Sequence, residues 1–114
     1  MRVLQVHNEY RQQGGEDRVV EAERGALLAG GHSVKRITAT NPTDPFRATT
    51  SFVKAPWNPW AARRLVDAAI DWRCDVAHVH NTWYSLSPAC VRALASAGVP
   101  TVVTLHNYRL ACSN

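Results

Sequence analysis

The chain has 114 residues, 46% of them hydrophobic and 19% charged, with a formal charge of +4. That length holds one domain whose core needs no staples, and the composition is that of an ordinary globular protein. No run approaches the roughly 20 apolar residues of a bilayer-crossing helix, and the N-terminus meets polar residues too soon for a secretory signal, so a cytoplasmic location is expected.

In chain order, "RVLQVH" (2–7) is rich in β-branched and aliphatic side chains and predicts a strand. A polar loop, "NEYRQQGG", leads to "EDRVVEAERGALLAG", which predicts a helix from Glu16 to about Gly30, with acidic residues in its first turn and Gly30-Gly31 as its stop. "HSVKRIT" predicts a more polar strand, nearer a sheet edge. Residues 40–58 carry Pro42, Pro45 and Pro56 as breakers, with Pro59 next, and are irregular. "PWAARRLVDAAIDWR" predicts a helix with an apolar face through Trp60, Leu65, Ala68, Ala69 and Trp72. "CDVAHVH" is a strand, and "SPACVRALASAG" a helix with Ser87 as N-cap, Pro88 at its first position and Gly98 at its end. "VPTVVTLH" is a strand whose nearly continuous apolar run predicts burial on both faces. Strands alternating with helices imply an α/β fold with an open parallel sheet.

The dipeptide His-Asn closes three of these hydrophobic runs, at His7-Asn8, His80-Asn81 and His106-Asn107. In an open parallel sheet all strand carboxyl ends share one edge, and ligands bind outside that edge where the strand order reverses. The first and third strands are expected to flank that point, with the fourth one place further. A lone histidine at a strand end is commonly just bonded to backbone, but three on one edge argue for a site. Three imidazoles can ligate zinc, yet these are spread along the chain without a close HxxxH pair, and the one HxH (His78, His80) lies within a strand; no metal is expected.

Gly14-Gly15 follows a strand and opens a helix, so a ligand can approach the backbone and helix N–H groups can face an anion; a simple loop turn explains the pair equally well. Neither G-x-G-x-x-G nor G-x-x-x-x-G-K-[ST] is present, which argues against a nicotinamide enzyme and a phosphate-loop protein. "FRATTSFVKAPWNPWAARR" mixes aromatic and basic residues; packing of its tryptophans on the sheet is the favoured reading, contact with a membrane surface the other. Cys74, Cys90 and Cys112 show neither a CxxC spacing nor a disulfide framework and are expected as free thiols. The basic residues are scattered, so no nucleic-acid partner is expected.

The segments "VHNEYRQQGGEDRVVEAERGALLAGGHSV" and "DVAHVHNTWYSLSPACVRALASAGVPTVVTLHNYRLAC", in this order, resemble the N-terminal domain of family 4 retaining glycosyltransferases, which have the GT-B fold of two facing Rossmann-like domains. The resemblance covers nearly the whole chain. It implies an open parallel Rossmann-like sheet with helices on both faces, as part of the acceptor-side domain. Gly14 and Gly15 match a glycine pair that lies near the donor's diphosphate. His106 matches a histidine close to the transferred sugar and is the expected catalytic residue. Glu16, His7, His80, Asn81, Asn107, Tyr108 and Arg109 are expected to border the acceptor or sugar.

The implied partners are a nucleotide-diphospho sugar as co-substrate, with no further cofactor, and a glycan or lipid-linked acceptor, the latter bringing peripheral contact with the inner membrane face. The chain ends in the loop after its fourth strand, so residues 1–114 are expected to lack the donor-binding domain and to be inactive alone. The alternative is a noncatalytic sugar- or nucleotide-binding or assembly domain, dimerising through an open sheet edge.

Overall fold

Strand β1 (Arg2–Glu9) lies inside a four-stranded sheet, flanked by β2 (Ser33–Thr40) on one side and β3 (Val76–His80) on the other, with β4 (Thr101–Thr104) beyond β3. Every neighbouring pair is parallel. The computed structural model describes residues 1–9, 15–40, 59–80 and 87–106. Helix α1 (Gly15–Ala29) connects β1 to β2, α2 (Pro59–Asp71) precedes β3, and α3 (Ser87–Ser96) joins β3 to β4. The expected α/β class and parallel order are therefore present. β2 is at an edge, and β1 and β3 are the central neighbours where the order reverses.

Side chains alternate across a strand, so each strand offers two faces of different chemistry. On one face Leu4 and Val6 of β1 and Ala77 and Val79 of β3 pack with Ala62, Leu65 and Ala69 of α2 and with Ala89, Cys90 and Leu94 of α3. Positions 62, 65 and 69 recur at helical spacing and form the buried stripe of α2. This is the core, and fully burying a leucine in it is worth about 1.5–3 kcal/mol. On the other face lies α1. There Gln5 donates from Nε2 to the Val20 carbonyl at 2.9 Å, and His7 Nε2 meets Asp17 Oδ1 at 2.7 Å. Helices thus cover both faces of the sheet.

Each helix ends in a reversed turn closed by two backbone bonds. His32 N–H bonds the Leu27 carbonyl and Gly31 N–H that of Leu28; Cys74 and Arg73 do the same to Ala69 and Ile70, and Val99 and Gly98 to Leu94 and Ala95. This cap needs a left-handed residue, usually glycine. Gly31 (φ 78°) and Gly98 (φ 75°) supply it, whereas α2 uses Arg73 (φ 49°).

Four details depart from the sequence reading. α2 stops at Asp71, because Trp72 and Arg73 enter this turn. Trp60, assigned to the apolar face, is 80% exposed, since two positions before Ala62 it points away from the buried stripe. β4 is not covered on both faces: Val102 is 51% exposed and Val103 40%, because β4 is an edge strand. Finally, His7 lies two residues before the end of β1, and His106 two beyond the end of β4. Cys74 and Cys90 are thiols outside any disulfide, as expected, and Cys112 lies outside the described residues. Among the described residues no helix is long and apolar enough to cross a membrane.

Candidate functional site

The α1 face of the sheet is unusually polar for a buried surface. Gln5 and His7 of β1 and His80 of β3 are almost wholly inaccessible. Register explains their grouping. Gln5 pairs with His78 and His7 with His80, and equivalent positions in neighbouring parallel strands share a face. The layer extends to β2, where Arg36 stands opposite Gln5, donates from Nε to Gln5 Oε1 at 3.3 Å and pairs through Nη2 with Glu21 Oε2 at 2.6 Å. That guanidinium holds the Glu21 carboxyl below its usual range.

Helix α1 turns carboxylates toward this layer. Asp17, Val20 and Glu23 follow one another at helical i, i+3, i+6 spacing, and only Val20 of them is apolar. Asp17 takes the His7 contact. Glu23 reaches between two rings: its Oε1 lies 2.5 Å from His78 Nδ1 and its Oε2 2.9 Å from His80 Nε2. The first is the shorter of the two contacts. The second lacks hydrogen-bonding alignment, so the wholly buried His80 Nε2 has no hydrogen-bond partner, and neither has His7 Nδ1.

His80 is the centre of the cluster. Its ring centroid is 4.1 Å from that of His78, 5.3 Å from His106 in a stacked arrangement, and 6.4 Å from His7 at a near-perpendicular angle. His80 Nδ1 shares a hydrogen bond with His106 Nε2 at 3.1 Å. The outer side of His78 is tied to β4, with Nε2 2.7 Å from Thr104 Oγ1. Burial, and then the positive charge that His78, His106, His7 and Arg36 would each set beside it, push His80 down to about 4. Glu23 acts in the opposite sense, but without an aligned hydrogen bond it does not reverse the outcome. His80 is a neutral ring near pH 7, and its bond to His106 fixes the orientation of the half-buried ring at the rim.

The expected convergence of His7, His80 and His106 is therefore present at the carboxyl-end edge of β1, β3 and β4. Gly15 opens α1, and a Cβ there would meet nothing within 4 Å. Its surroundings leave room for an approaching group, but its backbone does not require glycine. Glu16 follows in the first turn of α1, where only its backbone is described. Gly14, Asn81, Asn107, Tyr108 and Arg109 lie outside the described residues. Sequence reading missed Asp17 and Glu23, and set His78 aside because its HxH pair lies within a strand. Their signals were present: the HxH spacing puts both rings on one strand face, and the i, i+3, i+6 spacing puts the carboxylates on one helix face. What was missing was the knowledge that the two faces meet.

The buried Cys90 and the partly buried Cys74 carry no chemistry of this kind: desolvation raises the Cys90 thiol to about 11 and also raises Cys74, so both stay protonated.

No curated protein and no solved structure matches the chain. A family model, that of Glycosyltransferase Family 4, matches residues 4–110. That span runs from the interior of β1 past the last histidine of the cluster. With its parallel sheet and its polar rim, the chain belongs to glycosyltransferase family 4, as an N-terminal domain of the GT-B type.

Proposed function

We propose that this glycosyltransferase domain forms the acceptor side of a cleft in which a sugar passes, with retention of anomeric configuration, from a nucleotide-diphospho sugar to a glycan or lipid-linked acceptor. The observation that carries this reading is the meeting of His7, His80 and His106, from three separate strand regions, beside the β1–β3 reversal point, with His80 Nδ1 and His106 Nε2 3.1 Å apart.

His106 is the residue facing the reacting sugar. Its ring is held through Nε2 by His80, itself held inside the polar layer, and a ring held this way positions an acceptor hydroxyl at low entropic cost. Gly14 and Gly15 face the leaving diphosphate, whose growing charge is met by N–H groups at the start of α1. Glu16, His7, His80, Asn81, Asn107, Tyr108 and Arg109 border acceptor and sugar. In the GT-B arrangement the nucleotide is held by the second of two facing domains, so residues 1–114 tested by themselves are expected not to turn over a nucleotide sugar.

The test is titration of the 114-residue chain with UDP, GDP and their sugars while the His106 ring resonances are followed. Weak, saturable shifts in the wild-type chain support the reading, together with an affinity, measured by calorimetry, that falls in His106→Ala while unfolding stability is retained. An affinity unaffected by that substitution refutes it.

A second reading, a noncatalytic assembly module, is favoured by the apolar exposure at β4, where Val102, Val103 and, just past the strand, Leu105 (61% exposed) stand open. A stable dimer in sedimentation, dissociated by Val102→Lys, supports it; a monomer rules it out. Contact with an anionic bilayer fits the first reading, since Trp60, Arg63 and Arg64 are exposed at the start of α2. Co-sedimentation with anionic vesicles that survives Trp60→Ala would refute a role for this helix end.

A further inference from the structure

The Glu23–His78–His80 cluster sits on the inner side of the polar layer and meets the rim residue His106, which the proposed transfer uses directly, through the His80 Nδ1–His106 Nε2 bond. The Glu23 carboxylate, His78 Nδ1 and His80 Nε2 lie within 4.8 Å of one another, and they come from a helix and a strand that the fold presses together. Two imidazoles and a carboxylate are a donor set suited to zinc and its first-row neighbours rather than to magnesium or calcium, which take oxygen ligands.

A second observation points the same way. His80 Nε2 is fully buried, aimed at Glu23, and without a hydrogen-bond partner. An orphaned ring nitrogen in such a place is costly unless something other than a proton donor or acceptor of the protein satisfies it.

The outer nitrogens complete the pattern. A metal-bound imidazole usually gives its other N–H to a neighbouring acceptor, which fixes its tautomer and orientation. Here both rings have that neighbour. His78 Nε2 is 2.7 Å from Thr104 Oγ1, and His80 Nδ1 is 3.1 Å from His106 Nε2.

We propose that Glu23, His78 and His80 form a binding site for one divalent first-row transition ion of the zinc class, bound through the carboxylate, Nδ1 of His78 and Nε2 of His80. The ion takes lone pairs from these three groups. Ligation at Nε2 leaves the His80 proton on Nδ1, from which it donates to His106 Nε2. Ligation at Nδ1 leaves the His78 proton on Nε2, donated to Thr104 Oγ1. The ion joins α1 to β3 and sets which His106 nitrogen is an acceptor, so it is a structural and positioning site.

The test is titration of the metal-stripped 114-residue chain with zinc chloride, followed by calorimetry, and with cobalt(II), followed by visible absorption. The expected result is one ion per chain at micromolar affinity or tighter, with the intense visible bands of low-coordinate cobalt and without thiolate charge-transfer bands. Glu23→Gln and His78→Ala are each expected to weaken binding at least about tenfold. His32→Ala, outside the cluster, should leave it unchanged. The wild-type titration stands even where a variant fails to fold. Absence of stoichiometric binding overturns the proposal, as does binding that survives both substitutions or shows thiolate bands from the cysteines.

Discussion

The two faces of this sheet are made from the same strands and differ in almost every physical respect. Under α2 and α3, Leu4, Val6, Ala77 and Val79 meet an apolar surface in which helix–helix and helix–sheet packing are continuous. Under α1, one residue away along each strand, Gln5, His7, His78 and His80 meet Asp17, Glu23 and the Val20 carbonyl. The first face stabilises by area removed from water and tolerates many apolar sequences. The second gains little by burial, because each polar group must be matched to offset its desolvation. It is retained where its chemistry is used, and its edge is the rim where the histidines gather.

The largest effect expected from this contrast is on the apolar side. Leu4→Ala, at a fully buried site, should cost about 3 kcal/mol in urea unfolding, the usual range for a leucine truncated in a core. A cost below about 1 kcal/mol would mean that the α2–α3 face is not the stabilising one.

The polar side should reveal itself through pH. In the metal-free folded chain His80 is held down to about 4 against an ordinary 6.5. Between those values the unfolded chain binds the extra proton, so folding is favoured fully above about 6.5 and loses stability as pH falls toward 4. Glu23 moderates the effect, and a loss of about 1–3 kcal/mol over this window is expected. It is read as the difference between wild type and His80→Gln, in which the contribution of the carboxyl groups cancels. Equal slopes for the two proteins would show that His80 is not a buried neutral ring.

A smaller effect separates the helix ends. Arg73 holds a left-handed backbone that Gly31 and Gly98 hold elsewhere, and Arg73→Gly should raise stability by about 1 kcal/mol. A loss instead would indicate that the arginine side chain contributes more than its backbone strain costs. The smallest is at Gly15. Alanine has open space there, so thermal unfolding should stay within about 0.5 kcal/mol of wild type. Nucleotide binding should nonetheless weaken if this turn faces the diphosphate. Unchanged binding would remove Gly15 from the proposed site.

Part of the fold was legible in the sequence. The β-branched and aliphatic runs mark the strands, and the β-α order implies a parallel sheet with the strand-end histidines at one edge. The glycine stops at Gly31 and Gly98 likewise follow from local chemistry. Trp60 was misplaced because a helix's buried stripe depends on what it packs against, and β4 was misread because an apolar run does not say whether a neighbour covers it.

Backbone sterics and side-chain periodicity within a few residues dictate whether each short segment extends or coils, which face it presents, and where it stops at a left-handed residue. That Glu23 reaches His78 and His80, that His80 is wholly buried, and that His106 rests on it appear only once the chain is packed. Those facts depend on the docking of α1 against β3, elements far apart in the chain. Docking is selected by the shape and satisfaction of whole surfaces, which no local spacing encodes.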